Sequence, residues 1–309
     1  MRGTRKEPEI RTAAELMALD LPEISWIIPV ILPSGVTILA GKVKMGKSWM
    51  VLAFSIAVAT GGVVLGTMRV ERGEVLYLAL EDNWRRLKKR LRKLLNGGVE
   101  PDGLHIATDW PRADEGGVEK LDEWLENRPD CRLVVIDTLA RFKPRATGRR
   151  SQYDEDRDKV DPLIPIAAQH NVAIVIVHHL RETESDDPLD MIHDTAGLTG
   201  GADGALVLKR KRGKANANLH VDGRDIENPT ELALTFDQKT ATWADISDTE
   251  EYKSETRRKI IEAAVEWPAG PKEVADKLGM PENTIKQRMY QMSKDGDLKV
   301  PSLGLYEPP

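Results

Sequence analysis

Cysteine is almost missing from this chain: Cys131 is the one example in 309 residues. That excludes a disulfide framework and a zinc site built on cysteines. Cys131 follows Pro129 and Asp130 and leads into an apolar run, as a half-buried structural thiol would. Long apolar runs are missing as well. The longest early one, residues 26–32, is interrupted by Pro29 and falls far short of a membrane span. The charged opening, residues 1–9, lacks the apolar stretch of a secretory signal, so a soluble, cytoplasmic protein is expected. A surplus of positive charge is the third absence: 45 Lys and Arg stand against 50 Asp and Glu, a formal net charge of −5. Such a chain does not coat nucleic acid by bulk electrostatics. Any DNA or RNA contact has to come from a local basic patch or from a ring of subunits. Solenoid repeats and low-complexity tracts are absent too.

What is present begins with a composition 40% hydrophobic and 31% charged, enough to fill a core and stay soluble. Residues 41–48 then read Gly41, Lys42, Val43, Lys44, Met45, Gly46, Lys47, Ser48, a complete phosphate-binding loop. The apolar run 36–40 before it reads as a buried strand, and the segment from Trp49 to Thr60 after it as a helix. Gly41 and Gly46 let the backbone curl so that successive N–H groups point at phosphate oxygens. The following helix adds the partial positive charge of its N-terminus. The nucleotide-binding set is therefore residues 41–48 with Trp49, Lys47 reaching the β/γ-phosphates and Ser48 completing a Mg²⁺ shell around ATP.

Strands and helices alternate onward from this loop. Strands are expected over 36–41, 74–80, 105–108, 133–137 and 172–179, and helices over 47–60, 83–95, 118–127 and 154–170. Continuous apolar strands alternating with helices indicate a parallel sheet buried on both faces. Short strands over 204–209, 217–223, 231–236 and 240–246, with no helices between them, predict an antiparallel extension. Before the core, a short helix is expected over 12–18, and the segment 26–29 is expected on the core's surface. An acidic linker, 245–253, separates a last helical stretch: helices over 254–267, 271–278 and 281–293, then a hairpin over 298–306. Three helices and a β-wing predict a winged helix-turn-helix. The expected organisation is an arm over 1–34, a core over 35–248 and a small C-terminal domain over 249–309.

Binding is not hydrolysis, which needs a metal ligand and a positioned water. Asp137 closes the apolar run 133–136 at the sheet's carboxyl edge, a metal-ligand position beside Ser48. Glu81 and Asp82 close the strand before them. If that strand lies beside the loop strand, Glu81 projects toward the γ-phosphate as general base; otherwise the pair caps the next helix. His178 and His179 end another strand and suit a γ-phosphate sensor.

These motifs, in this order, resemble the RecA superfamily, and within it the RepA-like branch of hexameric plasmid and phage replication ATPases. The resemblance is carried by residues 41–48, 78–82, 134–138, 177–179, 200–204 and 223–225, and it spans roughly residues 20–245. It implies an α/β RecA-like P-loop ATPase in a homo-hexameric ring, with a mostly parallel sheet, an antiparallel extension and active sites between subunits. Lys47 and Ser48 would hold phosphate and Mg²⁺, Asp137 the metal, Glu81 the attacking water, and His179 would act as sensor. An arginine finger would come from a neighbour, with Arg210, Arg212 and Arg224 as candidates. Single-stranded or forked DNA would thread the channel, touched by a loop carrying Arg141, Lys143, Arg145, Arg149 and Arg150 with one aromatic, Phe142. The second loop, 182–194, is acidic in its first half. On the C-terminal module, Lys286, Gln287 and Arg288 lie on the candidate reading helix for duplex DNA, although residues 254–309 hold as many acids as bases. The motor reading is a helicase. The rivals are an ATP-dependent switch, such as a helicase loader or DNA-bound regulator, and a RecA-like recombination protein.

Overall fold

The computed structural model describes residues 10–20, 24–144, 159–180, 200–210, 216–227, 229–263, 268–302 and 304–307. In chain order the elements are α1 (Ala13–Met17), β1 (Trp26–Ile28), β2 (Leu32–Pro33), β3 (Gly35–Gly41), α2 (Lys47–Thr60), β4 (Val63–Val64), β5 (Met68–Arg69), β6 (Glu74–Ala79), α3 (Trp84–Leu95), β7 (Leu104–Ala107), α4 (Gly117–Glu126), β8 (Cys131–Asp137), α5 (Leu139–Phe142), α6 (Ile164–His170) and β9 (Ala173–His179). They continue with β10 (Gly204–Arg210), β11 (Asn216–Gly223), β12 (Thr230–Asp237), β13 (Thr242–Asp245), α7 (Glu250–Ala263), α8 (Pro271–Leu278), α9 (Glu282–Asp295), β14 (Lys299–Ser302) and β15 (Leu305–Glu307).

Nine strands form one sheet in the order β13-β12-β11-β10-β3-β9-β8-β6-β7. Strands β10, β3, β9, β8, β6 and β7 run parallel, and β10 to β13 fold back and forth as the expected antiparallel extension. The aliphatic strands are buried on both faces because helices cover both. Against one face, α2 and α3 pack Met50, Phe54, Val58 and Leu87 onto Leu39, Val75, Tyr77, Val135 and Val177. Against the other, α4, α5 and α6 pack Leu121, Leu125, Phe142 and Ile166 onto Val36, Ile38, Leu78, Ile136 and Ile176. Among the described residues no helix is long and apolar enough to cross a membrane.

Two sequence expectations change here. The segment 26–29, set on the core's surface, folds inward as the β1–β2 hairpin, with Ile27, Ile28, Ile31 and Leu32 buried among the residues under α2. Cys131 is not half-buried but enclosed, and burial pushes its thiol up to about 12. The expected linker is short: β13 ends at Asp245 and α7 starts at Glu250. Beyond it, α7, α8, α9 and the β14–β15 hairpin surround a separate cluster of Ile260, Val274, Ile285, Met289, Met292, Leu298 and Tyr306. The expected helix over 154–170 is described only from residue 159, where a turn and a short 3₁₀ segment lead into α6.

Ile28 is fully enclosed, so Ile28→Ala should lower the unfolding free energy by about 2–5 kcal/mol in denaturant titrations; an exposed residue would show almost no change. The Cys131 thiol is protonated in the folded chain well above the unfolded pKa of about 8.5. Its contribution to stability is full below that value and drains away as pH rises toward 12. Denaturation midpoints followed over this alkaline window should fall less steeply in Cys131→Ala than in the parent.

Candidate functional site

The loop between β3 and α2 is bent by three left-handed residues: Gly41 (φ 157°), Lys44 (φ 65°) and Gly46 (φ 101°). A Cβ on Gly46 would stand 2.9 Å from Cζ2 of Trp243, and one on Gly41 would stand 2.7 Å from the Leu208 carbonyl oxygen. Both glycines are needed for space as well as for dihedral freedom. Trp243, on β13, backs the loop and donates its indole N–H to the Gly46 carbonyl at 3.3 Å.

Lys47 opens α2 with its side chain buried. Its Nζ donates to the carbonyls of Gly41 and, at 2.8 Å, Lys42. Burial pulls its pKa down to about 8, while the nearby Asp137 and Glu81 carboxylates pull it back up. Asp137 is buried at the end of β8, where Oδ2 accepts a hydrogen bond from the Tyr77 hydroxyl at 2.8 Å. Burial pushes the Asp137 carboxyl up; hydrogen bonds from Tyr77 and Ser48 oppose that. The Asp137–Thr138 peptide bond is cis.

The sheet order corrects one premise of the sequence reading. The strand carrying Glu81 is not beside β3, because β9 and β8 intervene. Glu81 arrives by a different route: Ala79 pairs with Asp137 across β6 and β8. Thr138 Oγ1 then donates to Glu81 Oε1 at 2.9 Å. On β9, His178 and His179 pair with Ala40 and Gly41 of the loop strand. His179 Nε2 lies 3.8 Å from Glu81 Oε2, while its buried Nδ1 has no hydrogen-bond partner. Burial, then Lys47, lowers the His179 pKa, against Glu81 and Asp137. Asp82 turns away from this cluster to Arg86 and to Arg90 at 2.5 Å, and Asn83 caps α3 itself.

The remaining sequence candidates lie apart from this edge or at its border. Arg210 ends β10 stacked on Phe236 and Trp243, 4.9 and 5.1 Å from the ring centres. Arg224 follows β11 at the opposite end of the sheet, 3.5 Å from Asp203. Arg141 is exposed on α5, and the Lys143 carbonyl accepts from Arg112. Phe142, expected as the loop's aromatic, is fully buried and cannot stack on a base. Arg145, Arg149, Arg150, Arg212 and residues 182–194 lie outside the described residues. On α9, Lys286 and Gln287 are exposed, whereas Arg288 donates to the Ser247 carbonyl at 2.9 Å. Sequence reasoning missed Tyr77, Thr138 and Trp243. A tyrosine inside an otherwise aliphatic strand was the one available signal for Tyr77; nothing local marked Trp243, which reaches the loop from 197 residues away.

These residues suit a nucleoside triphosphate with Mg²⁺. The loop is an anion cradle with a buried cation, and Ser48 with Asp137 offers a pair of hard oxygen ligands. Among the described residues no cluster of three or more His, Cys, Asp or Glu could hold a metal. Such an ion would take its other ligands from phosphate and water, as Mg²⁺ commonly does.

The sheet with this loop at its carboxyl edge defines a RecA-like P-loop protein. Residues 4–185 match the model of a family described as an AAA domain, and the chain belongs to that family. Among solved structures it is similar to the isolated ATPase domain of another protein, at 14% identity and a TM-score of 0.52, over 68% of this chain and 84% of that one. It is also similar to a DnaB-like replicative helicase solved for its interactions with primase, at 14% identity and a TM-score of 0.54, over 75% of this chain and 66% of that one. At such identities the likeness is one of fold. No curated protein matches the chain in sequence.

Gly46→Ala forces a side chain into a left-handed position against Trp243. It should cost about 1–3 kcal/mol of stability and weaken binding of a fluorescent nucleotide; unchanged binding would show that the loop tolerates a different path.

Proposed function

We propose that this chain is an ATP-hydrolysing, RepA-like DNA replication protein: a ring-forming helicase acting on single-stranded or forked DNA. The observation that carries this reading is the convergence of Lys47, Asp137, Glu81 and His179 on one end of the sheet. A P-loop alone explains Lys47 but not a second carboxylate and a histidine beside it.

In this reading the triphosphate lies in the loop 41–48, against Trp49 at the start of α2. Lys47 exchanges the carbonyls of Gly41 and Lys42 for β- and γ-phosphate oxygens. Ser48 and Asp137 hold Mg²⁺, which neutralises phosphate charge, and Tyr77 fixes the Asp137 carboxylate. Glu81, oriented by Thr138, takes a proton from the attacking water as its oxygen bonds to the γ-phosphorus. The bond from that phosphorus to the β-bridging oxygen breaks, giving ADP and phosphate. His179, with His178 beside it, senses the γ-phosphate. Arg210 or Arg224 of a neighbouring subunit supplies the finger that offsets charge in the transition state. Channel contacts come from Arg141, Lys143, Arg145, Arg149 and Arg150, and the C-terminal unit acts as a winged helix presenting Lys286, Gln287 and Arg288 to duplex DNA.

Steady-state ATP hydrolysis, with and without single-stranded DNA at fixed low salt, tests the reading. Strong stimulation by DNA is expected of a motor; slow turnover indifferent to DNA would replace it with an ATP-dependent switch. Lys47→Ala should abolish nucleotide binding and turnover together. Glu81→Gln should keep nucleotide binding and lower kcat by about 10²–10⁴-fold, the range for a lost general base. Wild-type turnover in either variant would sink the site assignment.

A further inference from the structure

Helix α3 reads WRRLKKRLRKLL: seven Lys and Arg in 12 residues, with no acid, in a chain whose net charge is −5. Its residues divide into three groups. Leu87, Leu91 and Leu94 face the core under the sheet. Arg86, Arg90 and Lys93 are committed to the chain's own atoms: Arg86 and Arg90 pair with Asp82, Lys93 donates to the Gln238 carbonyl at 2.6 Å, and Arg90 and Lys93 cover the Trp49 ring. Arg85, Lys88, Lys89 and Arg92 form the third group. They follow the spacing i, i+3, i+4, i+7 that places residues on one helical face. All four are exposed, and none has an ion-pair partner among the described residues. Trp84 borders them one turn from Lys88 and is 61% exposed.

We propose that this face of α3 is a binding surface for single-stranded nucleic acid, in addition to the channel and C-terminal contacts of the proposed function, on whose DNA reading it rests. Four cations along about 10 Å of helix match a closely spaced row of phosphates, which needs no base sequence to be recognised. Trp84 adds a stacking surface at the edge of the row, which favours unpaired bases over a closed duplex. A membrane surface fits worse: the leucines that an interfacial helix would insert are already packed in the core. The placement also suits the chemistry, since α3 begins three residues after Glu81.

The full-length protein is tested with a fluorescein-labelled oligothymidylate across a salt series. In Arg85→Gln/Lys88→Gln/Lys89→Gln/Arg92→Gln the affinity should fall at least about tenfold at low salt, and the slope of log K against log salt should flatten by about 3. Trp84→Ala should weaken binding by about tenfold with the salt slope unchanged. Basal ATP hydrolysis without DNA and the circular dichroism spectrum should stay as in the parent. If the quadruple variant does not fold, Arg85→Gln/Lys88→Gln and Lys89→Gln/Arg92→Gln each read half of the same slope change. Parent binding that survives these changes overturns the surface while leaving the proposed function standing. A parent that binds no oligonucleotide overturns both. A shift in oligomer size by light scattering, with DNA affinity intact, assigns the face to a second copy of the chain instead.

Discussion

An ammonium group withdrawn from water keeps its proton only if oxygen dipoles and anions replace the hydration it has lost. Lys47 is in that position, and its surroundings supply both. Two loop carbonyls accept from Nζ, and the carboxylates of Asp137 and Glu81 act on it from the ends of two other strands. Neither acid is near Lys47 in sequence. They reach it because parallel strands in register end together, so that an acid placed just after one strand faces a loop placed just after another. The register of β3, β9, β8 and β6 is therefore the condition on which the site rests. The aliphatic strands that set this register are buried on both faces, so a slip would move their side chains out of packed positions.

The same register explains what could and could not be read before the fold was seen. The strand-loop-helix around residues 41–48 is local chemistry: a glycine pattern, a lysine and the apolar runs on either side. Those features sufficed to place β3 and α2 within one residue. Asp137 was legible because an acid closing an apolar strand has few other reasons to be there. Glu81 was found on a mistaken neighbour relation: strand order depends on which strands pair across long crossovers, and one sequence does not carry that pairing. The acid survived the error because the carboxyl edge collects the ends of all the parallel strands, whatever their order. Phe142 failed for a related reason. A loop aromatic looks exposed by composition, yet α5 turns it back into the core.

Residues that act from a distance stayed hidden. Trp243 constrains Gly46 from β13, beyond the stretch that matches the AAA domain family. The antiparallel extension is thus more than a widened sheet. Its last strand supplies the wall behind the phosphate loop, and Arg210 lies across that same ring. A change in the loop's path has to be accommodated by the extension, because the closest ring atom leaves no room for even one added carbon on Gly46.

Helix α3 meets the site from the other side. Asp82 follows Glu81 directly and holds Arg86 and Arg90, and Arg90 in turn lies over Trp49, the residue after Ser48. The inward flank of α3 is consequently tied to both the acid-bearing turn and the first turn of α2. Isolated ion pairs at a surface contribute little to stability, so these contacts are better understood as setting position than as holding the fold together. They fix α3 relative to Glu81 and Lys47 at once. A load carried on its outward face would be transmitted to the residues around the nucleotide loop through packed side chains of one chain, with no flexible linker between them.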